Sequence, residues 1–291
     1  MVRSTGDMAF SARPIPHPGT AVKRVASNKW LELLERVGYI ARGVLYVVMG
    51  ALALGLTLGL GGKATDQSGS LATLAGGGFG KVMLIVFVVG LAAYSLWGFV
   101  RAIFDPLHRG HDAPGIAERL GFAWSGVAYA GLSLFALELL LGTGPTSSQV
   151  GTQSTITKIL ARPAGEWAVL GIGLVSIASG LGQLYEAFNA KFKKDLKRDE
   201  MTKAEEDFVI GLGRLGYLAR GITFTLVGWF VFQAGMQHDA SKVKGFAGTF
   251  MFLLGQPYGH LLLALVALGF IALGVHSFAA ARWMRLLGSR Q

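Results

Sequence analysis

Cysteine is absent from the 291 residues, which excludes disulfides, iron–sulfur clusters, thiolate metal sites and thioether-attached haem. Charge is scarce: Asp, Glu, Lys and Arg make up 15% of the chain, against 52% hydrophobic residues and a mean hydropathy of +0.49. One soluble domain does not normally hide that much apolar surface, so lipid is the expected solvent. Missing too are a P-loop, a dinucleotide fingerprint, a nucleophile elbow and a His-Glu-x-x-His pair. Without paired acids, a Ser/His couple or a ligand cluster at one depth, the chain is not expected to be an enzyme or to hold a cofactor. His260 and His276 share one apolar stretch, but no other stretch supplies a histidine, so neither haem nor metal binding is expected.

What is present is six long apolar stretches, near 38–60, 80–104, 119–142, 165–188, 212–236 and 258–282. Each has about 20 residues or more, the length a helix needs to cross a ~30 Å hydrocarbon core. Runs such as 82–90 and 261–273 do not alternate as barrel strands must, so an all-α integral membrane fold is expected. The net charge of +10 would suggest nucleic acid in a soluble protein. Its distribution says otherwise. Of the Lys and Arg residues, 21 fall on one side of the spans and only six, Lys63, Lys81, Lys158, Arg162, Lys242 and Lys244, on the other. By the positive-inside rule both termini are expected in the cytoplasm. Residues 1–29 contain Pro14, Pro16 and Pro18, basic residues and no apolar core, the composition of a disordered basic tail and not of a cleaved signal.

The sequence repeats itself. Glu35-Arg-Val-Gly-Tyr-Ile-Ala-Arg-Gly-Val-Leu-Tyr46 returns as Glu118-Arg-Leu-Gly-Phe-Ala-Trp-Ser-Gly-Val-Ala-Tyr129 and as Gly213-Arg-Leu-Gly-Tyr-Leu-Ala-Arg-Gly-Ile-Thr-Phe224. Each copy opens an odd-numbered stretch, and each even-numbered stretch follows a related turn: Gly78-Phe79-Gly80, Pro163-Ala164-Gly165 or Pro257-Tyr258-Gly259. The expected units are hairpin repeats at 30–112, 113–204 and 205–291. Each unit crosses twice, so the copies enter in parallel and a pseudo-threefold axis along the membrane normal is expected.

The Arg-Leu-Gly-Tyr-x-Ala-Arg-Gly-x-x-Tyr signature in three hairpins resembles the bacterial membrane family known as domain of unknown function 1206. The resemblance covers about residues 30 to 285, with Trp124-Ser125 departing from the pattern in the middle copy. It implies a six-helix protein of the bacterial cytoplasmic membrane and brings no chemistry with it.

On a helix, Tyr39, Gly43, Tyr46 and Gly50 form one stripe of large and small side chains. The stripe recurs as Phe122, Gly126, Tyr129 and Ser133, and as Tyr217, Gly221, Phe224 and Gly228, and its expected role is helix packing in lipid. An aromatic-lined central path is the functional alternative. Arg42 and Arg220 are repeat-equivalent, with Ser125 at the third place. They are expected either to anchor at lipid phosphate near the interface or to form a cationic ring that binds an anion or acidic headgroup. Glu138, near the end of its stretch, is a candidate for ion coupling or simply reaches interfacial water. The charged run from Lys191 to Asp207 suits a surface-lying helix. The expected function is that of a non-catalytic structural or accessory subunit holding anionic cytoplasmic-leaflet lipids within a larger membrane complex. A small transporter or channel along the threefold axis is the alternative, and nucleic acid is not an expected partner.

Overall fold

The computed structural model describes residues 29–105, 110, 112–143 and 148–284. The expected tail, apart from Lys29, lies outside the described residues. The described chain is helical: α1 (Lys29–Thr57), α2 (Gln67–Ala75), α3 (Gly80–Phe104), α4 (Ala113–Leu141), α5 (Ser148–Leu160), α6 (Gly165–Asn189), α7 (Lys203–Gln237), α8 (Phe246–Leu254) and α9 (Gly259–Trp283). Six of these, α1, α3, α4, α6, α7 and α9, are long and apolar enough to cross a membrane, the architecture of a multi-pass membrane protein. Helix is what lipid dictates, because every backbone N–H and C=O must find its partner within the segment.

The repeat is richer than a hairpin. Each copy inserts a short helix, α2, α5 or α8, between its two long ones. These helices are too short and, in α2 and α5, too rich in Gly, Ser and Thr to register as apolar stretches. They explain the recurrent turn glycine. A Cβ on Gly80 would lie 1.9 Å from the carbonyl oxygen of Ala75, on Gly165 1.8 Å from that of Ile159, and on Gly259 2.0 Å from that of Leu254. The even helix starts directly against the end of the short one, and only a residue without a side chain fits. No side-chain cap is found at these three helix starts. Three other starts are capped: Asp66 accepts from Gly69 N, Asp112 from Gly115 N, and Thr202 forms a capping box with Glu205 at the start of α7. Thr202→Ala is expected to cost about 0.5–2 kcal/mol of stability, read as a lowered unfolding midpoint in detergent.

The closest packing runs between repeats, not within them: α3 lies along α4, α6 along α7, and α9 returns to α1. At each of these three interfaces an equivalent glycine of the odd helix touches backbone. Gly43 and Gly274 face each other, as do Gly221 and Gly180, while the carbonyl of Gly126 accepts a 2.7 Å hydrogen bond from Ser95 Oγ. Small residues let the backbones approach, which is how helices gain contact in a solvent as apolar as they are. The result is a pseudo-threefold arrangement of parallel repeats. Within repeats, α1 packs on α3 and α7 on α9, but α4 and α6 barely meet, so the ring is open at the middle repeat. These two helices are also the least buried of the six.

One expectation is corrected at the end of the bundle where α6 gives way to α7. Residues Lys191–Asp195 and Arg198–Glu200 are 3-10 turns, not one surface helix. Phe192 and Leu196 are buried, Phe192 stacks on Tyr217 at 5.1 Å, and Lys197 N donates to Trp283 O at 2.7 Å. Two apolar side chains in a charged run therefore stopper this end of the bundle. The flanking charges pair with one another, Arg198 with the buried Glu206 at 2.6 Å and the exposed Lys203 with Asp207 at 2.9 Å.

Candidate functional site

Three helices present side chains at one spacing: Tyr39, Arg42 and Tyr46 on α1, Tyr94, Trp97 and Arg101 on α3, and Tyr217, Arg220 and Phe224 on α7. Positions three and seven apart share a helix face, so each helix turns a cation flanked or preceded by aromatics toward its neighbours. Where the faces meet, Arg42 Nη1 donates to Tyr94 Oη at 2.6 Å. Its guanidinium lies 5.4 Å from the ring centre of Tyr46 and 5.6 Å from that of Tyr94. Arg220 comes to the same Tyr46 ring at 5.9 Å, and to Phe224 at 5.1 Å. Two guanidiniums from different repeats thus share one phenol ring at a common depth.

The aromatic web continues from there. Tyr46 Oη lies 3.3 Å from Tyr129 Oη on α4, and the Tyr46 ring stacks on Phe270 of α9 at 5.8 Å. Tyr94 meets Tyr129 and Tyr39 edge-on, with ring centres 4.6 and 5.3 Å apart. Arg101 Nη2 donates to Tyr39 Oη at 3.3 Å, and its guanidinium sits 4.8 Å from Trp97 and 5.4 Å from Phe122. Tyr46 is 1% exposed, Tyr129 4% and Arg42 8%, so the cluster is interior.

The electrostatics are unbalanced. Arg42 and Arg220 form no ion pair with a carboxylate among the described residues, and the Nε of each is buried without a hydrogen-bond partner. An Arg at the centre of a membrane helix costs roughly 2.5–3.5 kcal/mol on insertion scales. A cation over an aromatic face returns about 0.5–2 kcal/mol, and a phenol oxygen adds a charge-assisted bond without neutralising anything. The arrangement is chemically ready for an anion with several acceptor oxygens, which guanidinium forks match in a planar, two-point way.

Sequence reasoning paired Arg42 with Arg220, and the structure brings them together. It does not bring Ser125 into the pair. Ser125 is half-buried and makes no side-chain hydrogen bond among the described residues. A separate cation on α3 lies near it: Arg101 reaches Phe122, one turn from Ser125. Its signal was in the sequence, since Arg101 follows Tyr94 at the spacing that relates Tyr46 to Tyr39. Arg42 is buried and its guanidinium bonds inward to a tyrosine of α3. Within the packing stripes, Gly50 and Gly228 would bring a Cβ to 2.6 Å from the backbone of α9 and α6 respectively. Tyr217 instead stacks on Phe192 and meets His276 edge-on. Glu138 is exposed in the last turn of α4, away from the tyrosines. His276 is buried, its Nδ1 3.1 Å from the carbonyl of Val209. No group of three His, Asp or Glu able to hold a metal occurs among the described residues.

The family model described as Domain of Unknown Function (DUF1206) matches the chain three times, at residues 37–105, 120–190 and 215–284. The chain belongs to this family. The three DUF1206 matches fall one on each repeat, and together they include every residue of the cluster. The chain is also 31% identical over 251 residues to Uncharacterized protein YxxB of Bacillus subtilis (strain 168), covering 86% of this chain and 90% of that relative. No solved structure matches it.

Proposed function

We propose that this DUF1206 protein is a non-catalytic component of the bacterial cytoplasmic membrane, with both termini cytoplasmic, that holds an anionic lipid phosphate through Arg42 and Arg220 and serves as an accessory subunit of a larger membrane assembly. The observation that carries the reading is the pair of guanidiniums on one tyrosine ring with no carboxylate to balance them. A phosphodiester supplies the missing charge and the acceptors for the buried Nε groups. The open side of the ring between α4 and α6 supports entry from lipid, and the exposed apolar faces of those helices suit a lipid or helix neighbour. The centre is filled by Tyr46, Tyr129, Tyr94 and Phe270, which favours a packed scaffold over a conduit along the axis. The bias of 21 basic residues to six supports the orientation.

The test is purification in mild detergent followed by mass spectrometry of everything retained. The wild-type protein should carry anionic phospholipid and a stoichiometric protein partner. The R42Q/R220Q variant should retain roughly tenfold less of that lipid, in keeping with two lost charge-assisted contacts of about 1.5–3 kcal/mol each in a partly compensating site. Reconstitution in neutral phosphatidylcholine nanodiscs separates the sources of phosphate: stabilisation by added phosphatidylglycerol marks a lipid, and stabilisation by inorganic phosphate marks a free anion. Unchanged lipid content in the double variant would end the arginine assignment, and a clean monomer would end the accessory role.

A further inference from the structure

The far end of α7, opposite its Lys203 end, borders a second feature. A cavity of about 670 Å³ opens there between α7, the Ala240–Lys242 turn and α8. Along α7 it is lined by Leu226, then Trp229 and Phe230, then Gln233, then Gln237, one helix face read toward its end. From Leu226 to Gln237, about 16 Å of helix, the wall changes from aliphatic to aromatic to amide. Lys242 and Lys244 stand on the rim, Lys244 at the level of Phe230.

An aliphatic and aromatic wall with two ammonium groups at its rim offers an apolar and a cationic surface side by side, the two halves of an anionic phospholipid. The Lys244 ammonium is held 4.6 Å from the ring centre of Phe230 and 4.8 Å from that of Phe252, which fixes a flexible side chain at the cavity edge. Neither lysine forms an ion pair among the described residues. Of the acidic side chains close to this end, Asp239 accepts from Ser241 N at 2.9 Å and lies within electrostatic reach of Lys242 without pairing with it, and Glu166 pairs with His238. The volume falls in the ~300–1,000 Å³ range of ligand pockets, and Trp229, which lines it, is half exposed.

We propose that this cavity is a binding site for an anionic phospholipid of the leaflet bordering this end of the bundle, its phosphate on Lys242 and Lys244 and its acyl chain along Trp229 and Leu226. The site is separate from the arginine pair and stands whether or not that pair binds lipid.

The experiment places the full chain in phosphatidylcholine nanodiscs and follows quenching of tryptophan fluorescence by phosphatidylglycerol brominated on the acyl chain. The W229F variant identifies the share of the signal that arises at the cavity. The expected result is saturable quenching of Trp229 by the anionic lipid and little by brominated phosphatidylcholine. Affinity should fall roughly tenfold in K242Q/K244Q and recover in K242R/K244R, since each lysine near a membrane surface attracts anionic lipid appreciably. Both lysine substitutions are charge or shape changes at the rim, so helicity by circular dichroism should not change. Equal quenching by the neutral lipid, or unaltered selectivity in K242Q/K244Q, overturns the proposal. So does displacement of the lipid by millimolar inorganic phosphate, which would make the rim a site for the free anion.

Discussion

Tyr46→Ala is expected to lower the unfolding free energy by about 3–5 kcal/mol, the range for removing a buried aromatic ring from a packed core. The reason is the number of elements that converge on this side chain. From α1 it stacks on Phe270 of α9, meets Tyr129 of α4 through its hydroxyl, and lies under guanidiniums from α1 and α7. Truncation leaves a void among four helices and removes the π face that both arginines share, so the cations lose compensation as the packing is lost. Tyr46→Phe keeps the ring and gives up only the bond to Tyr129, a loss of about 0.5–1.5 kcal/mol. Denaturant unfolding in detergent micelles measures both. An alanine variant no less stable than the phenylalanine one would show that the ring is not the hub of the bundle.

The second large effect is expected at the turn glycines. In Gly259→Ala the new Cβ would meet Leu254 O at 2.0 Å and Leu254 C at 2.4 Å, backbone atoms that no rotamer change can move. Relief requires α8 to separate from α9, and α8 is anchored by the fully buried Phe250. A loss at or above the upper end of the ~1–3 kcal/mol typical of overpacking follows, with a matching drop in midpoint temperature. Gly171→Ala is the control on a membrane helix, because a Cβ there meets nothing within 4 Å. Alanine is also the better helix former, so the control should be neutral or slightly stabilising. Equal behaviour of the two variants would remove the steric account of the repeated turn.

These glycines also explain what could be seen from sequence. The expected starts of the even helices, at 80, 165 and 258, fall on or next to Gly80, Gly165 and Gly259, because a turn into lipid is marked by a Gly or Pro change in composition. The odd helices begin earlier than their apolar stretches: α7 starts at Lys203, well before 212. Its first turns carry Glu205, Glu206 and Asp207, which hydropathy counts as loop but a capped helix outside the hydrocarbon accommodates easily. The arginine pair was legible because the repeat placed Arg42 and Arg220 at equivalent positions. Tyr94 and Arg101 repeat the seven-residue spacing of Tyr39 and Tyr46, but α3 has no counterpart of them on α6 or α9, and only the α3–α4 and α1–α3 packing reveals their partners. Phe192 was hidden for a related reason: periodicity in a charged segment says nothing about which single ring turns inward.

The crossed pairing of the repeats bears on how the molecule is made. During synthesis α3 meets α4, and α6 meets α7, as soon as the following span leaves the ribosome. The groove of α1 around Gly43 and Gly50 has no such early neighbour, because the backbone it fits belongs to α9. One side of α1 is covered early by α3, but the face that carries these glycines must wait in lipid, unmatched, until α9 has been made.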